Sequence, residues 1–255
     1  MSLGSRAEFV LGGTIEANEA TRLYYFGTNC GGGSDYHFAC RRIFDAFASP
    51  MIALSLLSTY PLVSDQVNTR ELGVILRELE KLLATGRHGS VVEFGCYVGT
   101  TSLFIRRLLE HYRTDSKFHV YDSFEGLPKK TIHDISIVGE QFQTGVLCAS
   151  KNQLLLHFKK ANLKPPVIHK QWFSQIQQQD IPQLIYFAFL DGDYFESIID
   201  SLRLITPNLQ PGATIIVDDY ANEALPGAAK AVDQWLLSQP QARLRVEASL
   251  AIITL

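Results

Sequence analysis

The chain has 255 residues, 46% of them hydrophobic, and a formal net charge of −3 with no long basic run. That composition supports a sizeable core, predicts one α/β domain with an added N-terminal segment, and argues against a nucleic-acid partner. Cys30, Cys40, Cys96 and Cys148 stand far apart without a Cys-x-x-Cys pair, which speaks against a zinc site and for reduced thiols in a cytoplasmic protein; no apolar run reaches the roughly 18–20 residues of a membrane span.

In chain order, residues 1–70 are predicted to form a helical and loop segment that shapes an acceptor pocket or a subunit contact. Gly12-Gly13 and Gly31-Gly32-Gly33 punctuate it, and 36–57 reads as helix interrupted at Pro50. Tyr24, Tyr25, Phe26, Tyr36, Phe38, Phe44, Phe47 and Tyr60 cluster here; core packing outweighs an acceptor pocket or subunit contact as their role, although they leave a homodimer or higher oligomer open. The second region, 71–255, opens with an amphipathic helix over 71–83 carrying Leu72, Ile75, Leu76, Leu79, Leu82 and Leu83 on one face. Strand patterns at 90–94, 117–122, 166–170, 184–190 and 213–217 then alternate with helical ones near 100–113, 152–162, 195–205 and 227–237. This rhythm predicts a parallel, Rossmann-like sheet with helices on both faces. The closely spaced runs 242–247 and 250–255 should add an antiparallel hairpin at the sheet edge, giving seven strands. Ligands of such sheets bind beyond the carboxyl ends of the strands.

The most informative stretch is VVEFGCYVGTT, residues 91–101, where a short strand runs into a helix. Gly95 and Gly99 permit positive φ angles and close approach of a ligand, while Thr100 and Thr101 open a helix whose free N–H groups favour electron-rich atoms. The spacing Glu93-x-Gly-x-x-x-Gly differs from the Gly-x-Gly-x-x-Gly of dinucleotide folds. Asp122 ends the next strand and can accept from both hydroxyls of an adenosine ribose or simply open a turn.

Two further strands break into acids, Asp191-Gly-Asp193 and Asp218-Asp219-Tyr220. Carboxylates converging on one sheet edge repel one another, and a hard divalent cation relieves that repulsion; an all-oxygen set suits Mg²⁺. Asp191, Asp218 and Asp219 are the predicted ligands. Asp193 is read as a helix cap, with Glu196 and Ser197 serving the first N–H groups of the helix. His133 and His169 are candidates to face the cleft, whereas His88, His111 and His119 read as surface or packing residues. There is no Gly-x-Ser-x-Gly elbow and no Walker Gly-Lys-Ser/Thr.

Together, VVEFGCYVGTT, YDSFEGLP (121–128), FLDGDYFES (189–197), PGATIIVDDY (211–220) and PGAAKAVDQW (226–235) resemble the macrocin O-methyltransferase family. The resemblance implies a class I S-adenosylmethionine-dependent sugar O-methyltransferase of natural-product biosynthesis that uses Mg²⁺. It implies a cofactor-binding set of Glu93, Gly95, Tyr97, Gly99, Thr100, Thr101, Asp122, Ser123, Trp172 and Asp191, and a metal set of Asp191, Asp218 and Asp219. The acceptor is then a small sugar-containing molecule, with Asp191 accepting its proton. The chain departs from the family at Tyr194-Phe195, where Leu-Tyr is usual, at Asn222, near which some members carry a histidine, and at Gln171, where glycine is common. A catechol-type O-methyltransferase, an NAD-dependent reductase and a non-catalytic cofactor-binding protein are the alternatives.

Overall fold

The computed structural model describes residues 51–139 and 141–255. The expectations for 1–50, including seven of the eight aromatics, Cys30, Cys40 and the glycine runs, lie outside the described residues. Of that cluster Tyr60 is described, half-exposed under the Arg107 guanidinium, 4.0 Å from its ring centre.

Helix α1 (Ile52–Thr59) leads into α2 (Thr69–Ala84). The start of α2 is fixed by a capping box: the Asn68 side chain accepts from the N–H groups of Arg70 and Glu71, and Glu71 accepts from the Asn68 N–H. Of its predicted stripe, Leu72, Ile75, Leu76 and Leu79 are fully buried and Leu83 is buried, while Leu82 at the helix end is half-exposed. There follow β1 (Ser90–Phe94), α3 (Thr100–His111), β2 (Lys117–Asp122), α4 (Lys151–Lys160), β3 (Val167–Lys170) and β4 (Ile185–Leu190). The chain ends with α5 (Phe195–Ile205), β5 (Leu209–Val217), α6 (Pro226–Leu236), β6 (Arg243–Glu247) and β7 (Leu250–Thr254). Among the described residues, no helix is long and apolar enough to cross a membrane.

The seven strands form one sheet in the order β3-β2-β1-β4-β5-β7-β6. β1 to β5 run parallel, and β7 enters antiparallel between β5 and the edge strand β6. One face is covered by α2, α3 and α4 through Leu76, Phe104, Leu154 and Phe158, the other by α5 and α6 through Ile198, Leu202, Val232 and Trp235. Because β4 is buried at all six positions, it reads as uninterrupted apolar sequence. β5 begins four residues before the expected start, since Leu209 pairs with Ile185 across a register shift that lets Pro211 and Gly212 stay within the strand.

Register does most of the work of assembling the site. Phe94 pairs with Tyr121 on one side and with Leu190 on the other, and Leu190 pairs with Val217. The next residues in the chain, Gly95, Asp122, Asp191 and Asp218, therefore emerge together at the carboxyl edge. The strand order reverses there, between β1 and β4, and leaves a crevice.

Candidate active site

A cavity of about 390 Å³ opens at this edge. Gly95, Tyr97, Asp122, Ser123, Trp172 and Asp191 of the expected cofactor set line it, as do Asp218 and Asp219. Glu93, Thr100 and Thr101 line a smaller recess of about 30 Å³ that shares Gly95, Tyr97 and Asp191 with the cavity. Gly99 lines neither. It caps α3 with φ +91°, a conformation that favours glycine, and an added Cβ would lie 2.2 Å from Leu154 Cδ1 and push that side chain aside. Gly95 does border the cavity, yet the atom that requires its bare Cα is the Asp191 carbonyl oxygen, 1.8 Å from where a Cβ would stand. With φ at +84° as well, Gly95→Ala is expected to cost about 2–4 kcal/mol, the sum of backbone strain and overpacking. A urea midpoint unchanged from wild type would refute this.

Asp122 holds the glycine turn closed. Its Oδ2 accepts from the N–H groups of Cys96 (2.8 Å) and Tyr97 (3.2 Å), and its Oδ1 from that of Phe124 (2.7 Å). The turn-opening use of this aspartate is thus realised, and it joins two loops besides. Glu93 is fully buried: Oε2 accepts from the Ser102 hydroxyl, and among the described residues Oε1 has no partner. Burial pushes its pKa up to about 8. The Thr100 and Ser64 hydroxyls share a hydrogen bond of 2.8 Å, and Asp65, Asn68 and Glu71, before and within α2, also line the cavity.

Ligand atoms of Asp191, Asp193 and Asp219 can lie within 4.8 Å of one another. Asp218 adjoins them, its Oδ1 accepting from the Asp219 N–H, and Asn222 donates to Asp219 Oδ1 at 2.7 Å. Burial first, then mutual repulsion, raises the pKa values of Asp191, Asp193 and Asp218 well above the usual carboxylate range. Asp219 is raised by burial too. Among the described residues no Lys or Arg pairs with any of the four, and the cavity lining contains no Lys, Arg or His. Asp193 and Asp219 also hold positive φ angles, +59° and +57°, an uncommon backbone state for non-glycine residues. A crowd of buried oxygen donors lacking a counter-charge is the chemistry that fits a hard divalent cation.

The structure corrects three expectations. Asp193 does not cap α5: the cap residue is Tyr194, whose side chain makes no capping bond, and the Phe195 N–H is taken by Asp134 from a distant loop. Neither Glu196 nor Ser197 makes a capping bond to α5. His169 and His133 do not line the cavity. His169 stacks on Tyr121 and meets His119 at 3.1 Å, and burial lowers its pKa; His133 stacks on Phe195. The repeated acid in Asp191-Gly-Asp193 was the visible signal for Asp193, whereas Asp134 offered none, since its partner is 61 residues away.

The family described as Macrocin-O-methyltransferase (TylF) matches residues 64–242. A relative in Streptomyces olivaceus, 8-demethyl-8-(2,3-dimethoxy-alpha-L-rhamnosyl)-tetracenomycin-C 4'-O-methyltransferase, is 32% identical over 152 residues, covering 57% of this chain and 58% of its own. The match thus spans less than two thirds of that relative's length. Mycinamicin III 3''-O-methyltransferase of Micromonospora griseorubida is 28% identical over 185 residues, covering 69% of this chain and 72% of its own. Among solved structures, the O-methyltransferase NovP superposes with a TM-score of 0.64 at 23% identity, covering 74% of this chain and 80% of its own. Calicheamicin methyltransferase CalS11 superposes with 0.59 at 18% identity, covering 100% and 99%. These likenesses show the methyltransferase fold. With a family match that takes in every strand-tip acid and runs from just before the α2 cap to just before β6, the chain belongs to the macrocin O-methyltransferase family.

Proposed function

We propose that this protein transfers a methyl group from S-adenosylmethionine to a hydroxyl of a sugar on a small glycosylated natural product, using a divalent cation, Mg²⁺. The observation that carries the reading is a cavity whose charged lining residues are all acids, with four carboxylates, two buried and two half-buried, from two adjacent strand tips. Such a site favours cations, and both a sulfonium donor and a divalent ion are cations. The names of the two relatives, both O-methyltransferases whose stated substrates are natural products, support the acceptor class.

In-line methyl transfer needs the acceptor oxygen, methyl carbon and sulfur aligned, so the protein's first task is positioning. In this reading Asp122 and Ser123 hold the ribose side, Trp172 and Tyr97 flank the donor, and Gly95 with the recess at Glu93, Thr100 and Thr101 receives its amino-acid end. Asp191, Asp218 and Asp219 hold the divalent ion. A divalent ion bound there would supply Lewis-acid charge that lowers the pKa of an acceptor hydroxyl. Asp191 accepts the proton in this scheme; Asp193, in the same carboxylate group, is the second residue able to do so. In this reading the protein works in the cytoplasm.

Calorimetry separates this reading from a nicotinamide enzyme: S-adenosylhomocysteine should bind and NADH should not. Incubation with S-adenosylmethionine, MgCl₂ and a panel of deoxysugar glycosides should then yield a product heavier by one methylene. NADH binding with no response to S-adenosylhomocysteine would overturn the proposal.

A further inference from the structure

We propose that Asp134 is a positioning residue for the carboxylate cluster, acting through a clamp that ties the start of α5 to the start of α6. The inference rests on the divalent-ion reading above.

Asp134 ends a single 3-10 turn, Ile132–Asp134, and is 1% exposed. One oxygen is used locally: Oδ2 accepts from the Thr131 N–H and the Thr131 hydroxyl, both at 2.8 Å. The other reaches across the fold, where Oδ1 accepts from the Phe195 N–H at 2.7 Å. Neither helix supplies its own cap. Tyr194 and Leu225, the cap residues of α5 and α6, make no side-chain capping bond, so a buried carboxylate from outside satisfies the first donor of α5 and sits at the positive end of its dipole.

The first turn of α6 presses on that same hydrogen bond. A Cβ on Gly227 would stand 1.9 Å from Asp134 Oδ1 and 2.7 Å from the Phe195 nitrogen. Neighbours of Asp134 reinforce the grip: the His133 ring lies on Phe195 with centroids 4.1 Å apart, Lys230 Nζ donates to the His133 carbonyl at 2.5 Å, and the Ser136 hydroxyl donates to the Glu223 carbonyl at 2.6 Å. Residues 131–136 therefore hold both helix starts, and each follows a loop bearing metal-site acids. Asp193 lies two residues before Phe195 at φ +59°. A non-glycine residue keeps that conformation only when its surroundings impose it; the Tyr194 N–H bond to the Gly192 carbonyl closes the turn around Asp193, and the bond from Asp134 to Phe195 anchors the residue after it. The clamp sets the spacing of the Asp191-Asp193 pair from the Asp218-Asp219 pair without touching either.

The test uses the full chain and two probes, Mn²⁺ followed by the spin-resonance signal of the free ion and S-adenosylhomocysteine followed by calorimetry. Asp134→Ala and Gly227→Ala are expected to weaken Mn²⁺ binding about tenfold or more, as loss of a supporting partner does at metal sites, while S-adenosylhomocysteine binds as in wild type. Asp134→Asn keeps an acceptor oxygen for Phe195 and should fall between wild type and Asp134→Ala. If Asp134→Ala does not fold, Asp134→Asn decides by the same split. Unchanged Mn²⁺ binding in the variants, or equal weakening of both probes, overturns the clamp. A wild-type protein that binds S-adenosylhomocysteine but no Mn²⁺ overturns the divalent-ion reading and the clamp with it, a result distinct from failure of the variants alone.

Discussion

Asp191→Asn is expected to lower turnover about a thousandfold or more, a loss of roughly 4 kcal/mol in transition-state stabilisation, while S-adenosylhomocysteine still binds. The size follows from position. Asp191 lies at the junction of the cavity and the recess beside Glu93, in the group with Asp193 and Asp219, and neighbouring carboxylates push its pKa up beyond what burial does. On the proposed reading, removing its charge takes a ligand from the cation while leaving Asp122, Ser123 and Trp172, assigned to the ribose side, in place. Asp193→Asn separates the two possible proton acceptors. If Asp193 takes the proton, turnover falls and Mn²⁺ binding persists; if Asp191 does, Asp193→Asn keeps most of its turnover. Asp191→Asn protein with wild-type turnover, or with S-adenosylhomocysteine binding lost and Mn²⁺ binding intact, would remove Asp191 from the metal set.

Much of this arrangement could be read from the chain, for identifiable reasons. A parallel strand buried on both faces is written as an apolar run, so β4 was placed to within one residue, and the acids that stop it marked the sheet edge. Asn68 and Glu71 spell a capping box locally, and α2 begins where they place it. What failed depended on contacts between distant segments. Aspartate before a helix is usually its cap, yet Asp193 is displaced from that duty by Asp134, which nothing near residue 193 announces. Gly99 looked like a ligand-facing glycine because its neighbour in space, Leu154, belongs to a helix later in the chain. The histidines have the same history: a stack across β1, β2 and β3 absorbs His169 with Tyr121 and Phe94. Asp122 shows one residue serving the local and the distant role together, since three backbone N–H groups from two loops converge on it.

A divalent cation should stabilise the protein strongly at pH 8 and hardly at all at pH 5. The four aspartates have folded-state pKa values above those of the unfolded chain, so the folded protein retains protons that the unfolded chain releases. Their contribution to stability is therefore fully present below the unfolded value near 3.8 and is lost as pH rises through the folded values. Glu93 behaves alike between 4.5 and about 8. A cation must displace those protons, so it competes poorly in acid and binds well where the protons are already weakly held. At a hundredfold excess over its dissociation constant, ligand linkage gives about 2.7 kcal/mol, or about 5–10 °C in Tm for a chain of this size. Glu93→Gln sharpens the test: it should raise the metal-free Tm at pH 8, because a neutral amide carries no buried charge there, and leave the Mg²⁺ increment nearly intact. Thermal scans at pH 5 and pH 8, with MgCl₂ against NaCl at equal ionic strength, would sink the linkage if the increment were the same at both pH values, and would remove Glu93 from it if Glu93→Gln melted at the wild-type temperature.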